Sequence, residues 1–222
     1  LLLNINVVQV VQADDLNAKN GNRRVIDEGF SRERGAIIVD GEPIAESTPI
    51  DDKWRFQRTY TDGKMYAPVT GFFSYTFGQS AIERSQDNLL SGRDNRLFVK
   101  RVVDMVANKR PQGGSVELTL DPVAQRAAVE GMAELRDGTR AAVVALDPQT
   151  GEVLAMASQP TYDPNQLASH DLGAVSDAWK KLTTADSNPM LNRGTGTVLP
   201  PGSTFKLVTA AAAIDKLNLD PD

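Results

Sequence analysis

Residues 116–157 read as a strand, a capped helix and a tight hairpin in immediate succession, and this run constrains the fold more than any other stretch. VELTL (116–120) is a strand by its β-branched and alternating character. Asp121 follows as an N-cap, with Pro122 at the first helical position, where its missing N–H costs nothing. The helix AQRAAVEGMAELR then runs to a stop at Asp137-Gly138. From Ala141 to Ala157, AAVVAL and EVLAMA flank Asp147-Pro148-Gln149-Thr150-Gly151, a hairpin closed by turn-forming residues.

The sequence on either side is less regular. LLLNINVVQVVQ (1–12) is shorter than the roughly 20 apolar residues that cross a bilayer, and reads as the tail of a transmembrane helix. Residues 13–33 are polar and suggest an extended linker. Ala36–Val39, the turn signal Asp40-Gly41 and Pro43–Ala45 predict a second hairpin. Residues 51–60 alternate and predict a half-buried strand. Ala81–Leu90 and Leu97–Ala107 carry helical spacings, and KRPQGGS closes the first half at Ser115. Phe72, Phe73, Tyr75 and Phe77 are expected to form a small core, with a partner-docking surface as the alternative. Beyond residue 160 comes a long proline-punctuated connection holding a short helix near Ala174–Leu182, then a final helix over Ser203–Leu217. With an apolar helix so near Asp222, the sequence is expected to be a fragment lacking both ends.

Composition removes whole classes of chemistry. The net charge is −5 over 222 residues, which disfavours nucleic acid as a partner. There is no cysteine, so disulfides, thiolate nucleophiles and Cys-based zinc sites are excluded, and this fits an exported domain. With a single histidine, His170, no His-rich metal site exists, and no metal or cofactor is expected. A Ser-His-Asp triad would need His170 with Asp171, but nothing in the sequence positions this loop histidine, which is expected to be solvated. Asp147 and Glu152 bracket a turn, a routine place for carboxylates.

The reactive candidate is Pro200-Pro201-Gly202-Ser203-Thr204-Phe205-Lys206. Ser203 is the only serine followed by lysine at i+3, which places both side chains on one helical face. Lys206 can take the serine proton if burial lowers its pKa, and Leu207, Val208 and Ala210–Ala213 are expected to supply that burial. At a helix N-terminus, free N–H groups favour a developing negative charge, and the N–H of Ser203 itself can form half of an oxyanion hole. By composition a lysine falls at i+3 from a serine about once in twenty, so an N-cap serine beside a solvated lysine is the competing reading.

The string in its setting resembles the penicillin-binding transpeptidases of the monofunctional (class B) type, in particular an actinobacterial, PbpA-like branch. Ser203-Thr204-Phe205-Lys206 matches the S-x-x-K nucleophile box. VELTLDPVAQ, AAVVALDPQTGEVLAMASQPTYDPN and NPMLNRGTGTVLPPGSTFK resemble the opening of the transpeptidase domain. Arg34-Gly35-Ala36-Ile37, Gly71, Ser80-Ala81-Ile82-Glu83 and Leu90-Ser91-Gly92 resemble the signatures of the non-catalytic membrane-proximal domain. Two departures lie here: Val39-Asp40-Gly41 is a shorter hairpin than usual, and Ser80-Ala81-Ile82 replaces a Gly-rich run. The family's Ser-x-Asn and Lys-Thr-Gly boxes do not occur within these residues.

The resemblance implies an α+β fold: a mixed, mostly-β pedestal or dimerisation domain over 13–115, then over 116–222 the first part of a serine β-lactamase-like transpeptidase domain. It implies a D,D-transpeptidase with Ser203 as nucleophile and Lys206 as base. Peptidoglycan stem peptides would be its substrates, β-lactams its acylating mimics, and cell-wall and division membrane proteins its partners. It implies a single-pass cell-membrane location with the catalytic domain on the extracytoplasmic side. A class D-like serine β-lactamase or penicillin sensor shares the box and is the rival reading. For the fragment alone, a non-catalytic docking module is the alternative.

Overall fold

The computed structural model describes residue 27 and residues 29–97 and 112–217. The expected membrane tail, most of the linker and most of the 97–107 helix lie outside the described residues.

Ile37–Val39 (β1) and Glu42–Pro49 (β2) form the expected hairpin, turning at Asp40 and Gly41 with φ of 50° and 78°. Positive φ at both turn residues matches the strand twist. Phe56–Tyr60 (β3) pairs antiparallel with β2. The stretch before it is a turn rather than strand: Asp52 Oδ1 accepts the N–H groups of Trp54 (2.8 Å) and Arg55 (3.1 Å), a local bond that outcompetes the sheet ladder. Gly63–Thr70 (α1), unexpected from sequence, comes next, followed by the two-stranded Phe73–Ser74 (β4) and Gly78–Gln79 (β5). The helix expected over 81–90 is two short ones, Ala81–Ser85 (α2) and Asp87–Leu90 (α3). Ala81 holds φ 45°, where the resembled pattern carries glycine.

Val116–Leu118 (β6) pairs parallel with β1, so the first sheet runs β3-β2-β1-β6. The Gly-Gly before it is a close crossing. A Cβ on Gly113 would lie 1.8 Å from the Leu90 carbonyl oxygen, and one on Gly35 2.0 Å from that of Gly114. Backbone bonds lock the crossing: Gly35 N donates to Leu90 O (2.8 Å) and Gly113 N to Glu33 O (2.9 Å).

Behind this sheet lies a buried ionic knot. Glu83 is fully buried, accepting Arg34 Nε at 2.6 Å on one carboxylate oxygen and Arg58 Nε at 2.7 Å on the other. Tyr60 donates its hydroxyl to Glu83 at 3.0 Å, Arg34 also reaches Asp87 at 2.7 Å, and Arg58 donates to Gly35 O at 2.9 Å. Arg34 also sits 4.4 Å above the Phe73 ring. Burial would raise the Glu83 carboxyl, but Arg58 and Arg34 outweigh it and hold it below the usual range. Burial, and then the Glu83 charge, push the Tyr60 phenol well up.

The second half begins with Pro122–Ala133 (α4), capped as expected by Asp121, whose side chain accepts Val123 N and Ala124 N at 2.8 Å each. Ala141–Leu146 (β7) and Val153–Gln159 (β8) make the expected hairpin, packed on α4. Asn165–Ala168 (α5), Leu172–Thr184 (α6), Arg193–Gly196 (α7), a 3-10 turn over Gly202–Phe205 and Lys206–Leu217 (α8) follow.

The halves meet through main-chain groups that α1 and β3 leave free. Pro68 inside α1 has no N–H, which frees the Lys64 carbonyl, and Thr161 Oγ1 donates to it at 3.0 Å. Gln125, fully buried, donates to Met65 O (2.9 Å) and Met156 O (3.1 Å) and accepts Met156 N (2.8 Å). The Asn165 carboxamide clips both main-chain groups of Tyr60 at 2.9 Å. Gln125→Ala removes three hydrogen bonds made by a fully buried side chain. It should cost about 2–4 kcal/mol, read as a drop in the urea-unfolding free energy.

The aromatics form two cores rather than one. Phe73 and Tyr75 gather with Phe30, Trp54 and His170; Phe72 and Phe77 gather with Tyr162 and Trp179. Phe72 and Phe73, adjacent on an extended segment, point to opposite faces, and the turn between β4 and β5 brings Phe77 back to the Phe72 side. Phe72 is buried, so the docking-surface alternative does not hold for it.

Candidate active site

Ser203 does not lie inside an α-helix as expected. Gly202, at φ 55°, turns the chain out of Pro200-Pro201 into the 3-10 turn, and Lys206 opens α8. Thr204 N donates to Pro201 O at 3.2 Å, and Lys206 N returns to the Ser203 and Thr204 carbonyls. Ser203 therefore sits in the 3-10 turn and Lys206 opens the α-helix that follows, so the pair straddles the junction of the two. The serine stands at the N-terminal end of α8, where the helix dipole favours negative charge.

The burial expected for Lys206 is not found. Ser203 and Lys206 are exposed, and the neighbours meant to shield the amine face outward, Leu207 at 76% and Val208 at 57% exposure. Apolar residues desolvate a neighbour only when another element closes over them, and among the described residues α8 rests chiefly on the 3-10 turn. Val198, Leu199 and Phe205 are exposed beside them.

The chain up to Arg193 is tightly held, whereas Val198 and Leu199 between it and the serine are exposed. Arg193 gathers the carbonyls of Pro160 (3.5 Å), Asn188 (3.2 Å), Leu191 (3.3 Å) and Ser187. Ser158 Oγ donates to Leu191 O (3.1 Å) and accepts Arg193 N (3.1 Å), fixing the segment to β8. Asn192 caps α7 through Gly194 N (3.0 Å) and donates to Pro68 O (2.8 Å). Sequence reasoning gave these residues no role; the only local signal was Asn192 as an N-cap ahead of Gly194.

His170 is not solvated, and its contacts are with Asp52, Phe30 and Trp54. Its side chain is 10% exposed, its Nδ1 pairs with Asp52, and its ring packs 4.7 Å from Trp54. Asp171 caps α6 through Gly173 N and Ala174 N, both at 3.1 Å, so neither residue serves a triad. Asp147 is a turn residue, accepting Gln149 N at 2.7 Å. Among the described residues no group of three or more His, Asp or Glu is placed to hold a metal, and no helix is long and apolar enough to cross a membrane.

Comparison with known proteins agrees with this layout. The profile described as "Penicillin binding protein A dimerisation domain" matches residues 34–116, and "Penicillin binding protein transpeptidase domain" matches 141–222. The peptidoglycan D,D-transpeptidase PbpA of Mycolicibacterium smegmatis is 46% identical over 96% of this chain and 44% of its own length. The peptidoglycan D,D-transpeptidase MrdA of Escherichia coli is 35% identical over 77% of this chain and 26% of its own. The imipenem acyl-enzyme structure of penicillin-binding protein A from M. tuberculosis matches with a TM-score of 0.81 and 41% identity, over 85% of this chain and 44% of that one. The chain therefore spans less than half the length of these relatives. Two family profiles in the expected order, a shared fold and the intact S-x-x-K box show that the chain belongs to the penicillin-binding protein family, joining a dimerisation domain to transpeptidase-domain sequence.

Proposed function

We propose that the protein carrying this chain is a peptidoglycan D,D-transpeptidase that works through an acyl-enzyme on Ser203. The observation that supports this is the S-x-x-K pair, Ser203 and Lys206, at the head of α8, in a chain whose relatives include D,D-transpeptidases. Lys206 takes the hydroxyl proton as Ser203 Oγ attacks the penultimate D-Ala carbonyl of a stem peptide. The bond to the terminal D-Ala breaks, and that residue leaves as the amine with a proton returned to its nitrogen. The amine of a neighbouring stem peptide then attacks the ester, forming the crosslink and restoring the Ser203 hydroxyl. β-Lactams acylate the same oxygen with ring opening. Lys206 acquires the desolvation it needs as a base when residues outside this chain cover Leu207 and Val208.

Residues 13–115 act as the pedestal and docking module toward cell-wall and division membrane proteins, and 116–222 begin the catalytic domain. Residues 1–12 end a membrane anchor that leaves both domains on the extracytoplasmic side. In the intact protein, benzylpenicillin should add its mass once, and Ser203→Ala should abolish the adduct by intact-mass spectrometry. An adduct retained in Ser203→Ala would refute the assignment. Rapid hydrolysis of a chromogenic cephalosporin would point instead to a β-lactamase. The 222-residue chain alone, lacking the other two boxes, should give no adduct.

A further inference from the structure

The last firmly tied residues before the nucleophile are Asn192 and Arg193, and one of their ties leaves the catalytic half. Helix α1 ends at Thr70, so the Pro68 carbonyl is among the four that a helix C-terminus leaves without an internal partner. Asn192 Nδ2 fills that vacancy at 2.8 Å across 124 residues of sequence, and also lies 3.2 Å from Met156 Sδ. The other end of the same carboxamide, Oδ1, caps α7 through Gly194 N. Gly194 is pressed onto the hairpin: a Cβ there would lie 2.9 Å from Val144. A single side chain thus joins a helix of the dimerisation domain, the β7–β8 hairpin and the start of the segment leading to Ser203.

We propose that Asn192 is a positioning residue for Ser203, setting the acylation rate through its bond to the Pro68 carbonyl of a domain that holds no catalytic group. The inference rests on the transpeptidase reading above. A tie that sets where α7 begins sets where the Pro-Pro-Gly turn delivers the serine, and acyl transfer tolerates little displacement of its nucleophile.

The two halves of the carboxamide can be separated by substitution. Asn192→Asp keeps the oxygen that caps α7 and loses the donor to Pro68; Asn192→Ala loses both. Asn165→Ala is the control, because it breaks a different tie between the halves, the clip on Tyr60, away from the segment that leads to Ser203. In the intact protein, the second-order rate of acylation by a fluorescent penicillin and the Tm are measured for all four forms. Both Asn192 variants should acylate about ten- to a hundred-fold more slowly, with full final labelling. Asn165→Ala should lower Tm at least as much, yet acylate at the parent rate. Parent-like acylation in Asn192→Asp overturns the inference, and so does equal slowing in Asn165→Ala, which would reduce the tie to general cohesion of the halves. A parent that is not acylated at all overturns the functional reading, and this inference with it.

Discussion

Glu83→Ala should destabilise the N-terminal half by about 3–5 kcal/mol, because it leaves the Arg58 guanidinium buried without its counter-charge and Arg34 with Asp87 alone. That is a large part of the 5–15 kcal/mol that holds a domain folded. Tyr60 loses its acceptor in the same stroke, and Arg34 keeps only Asp87 and the Glu83 main-chain carbonyl. Urea unfolding followed by Trp54 fluorescence in a Trp179→Phe background reads the loss; a change under about 1 kcal/mol would mean that water reaches the knot and screens it. The knot also has a pH signature. A carboxyl whose folded pKa is depressed contributes stability above its unfolded value, about 4.3, and loses it as pH falls through the folded value. Arg58 and Arg34 depress Glu83 despite its burial. The urea midpoint should therefore fall more steeply below about pH 4 in the parent than in Glu83→Gln.

Lys206→Ala in the intact protein should slow acylation by penicillin about 10²–10⁴-fold, the usual worth of a positioned general base. Lys206→Arg should not restore it. A guanidinium keeps the positive charge but does not give up its proton at working pH, so it cannot accept one from Ser203. Stopped-flow or gel-based labelling measures the rate. Parent-like acylation in Lys206→Arg would reduce the lysine to an electrostatic role and move the base elsewhere.

What the sequence disclosed and what it hid divide along a physical line. The Asp121-Pro122 cap and the β7–β8 hairpin depend on residues within a few positions of each other, and each was legible. Helix α1 was not, because a Gly start and an interior Pro68 give it poor intrinsic propensity. Packing and its borrowed partners Thr161, Gln125 and Asn192 sustain it. The turn at Asp52 was missed because one short side chain redirected an alternating pattern. His170 was misjudged for the same reason as Asn192: its partner, Asp52, lies 118 residues away. The exposure of Lys206 was hidden because an apolar neighbour in sequence says nothing about what covers it.

The parallel pairing of β6 with β1 bears on how such a chain is made. On the ribosome, β1 emerges with β2 and β3 as a three-stranded hairpin sheet whose outer edge stays unpaired until residue 118 arrives, some 80 positions later. Throughout that interval the nascent chain presents an open strand edge, the kind of surface that templates aggregation. The same geometry dictates where the first domain can be cut. A piece ending at residue 115 discards its own edge strand, whereas one extended through Leu118 keeps β1 paired on both sides, and of the two it is the longer that should stay monodisperse on expression.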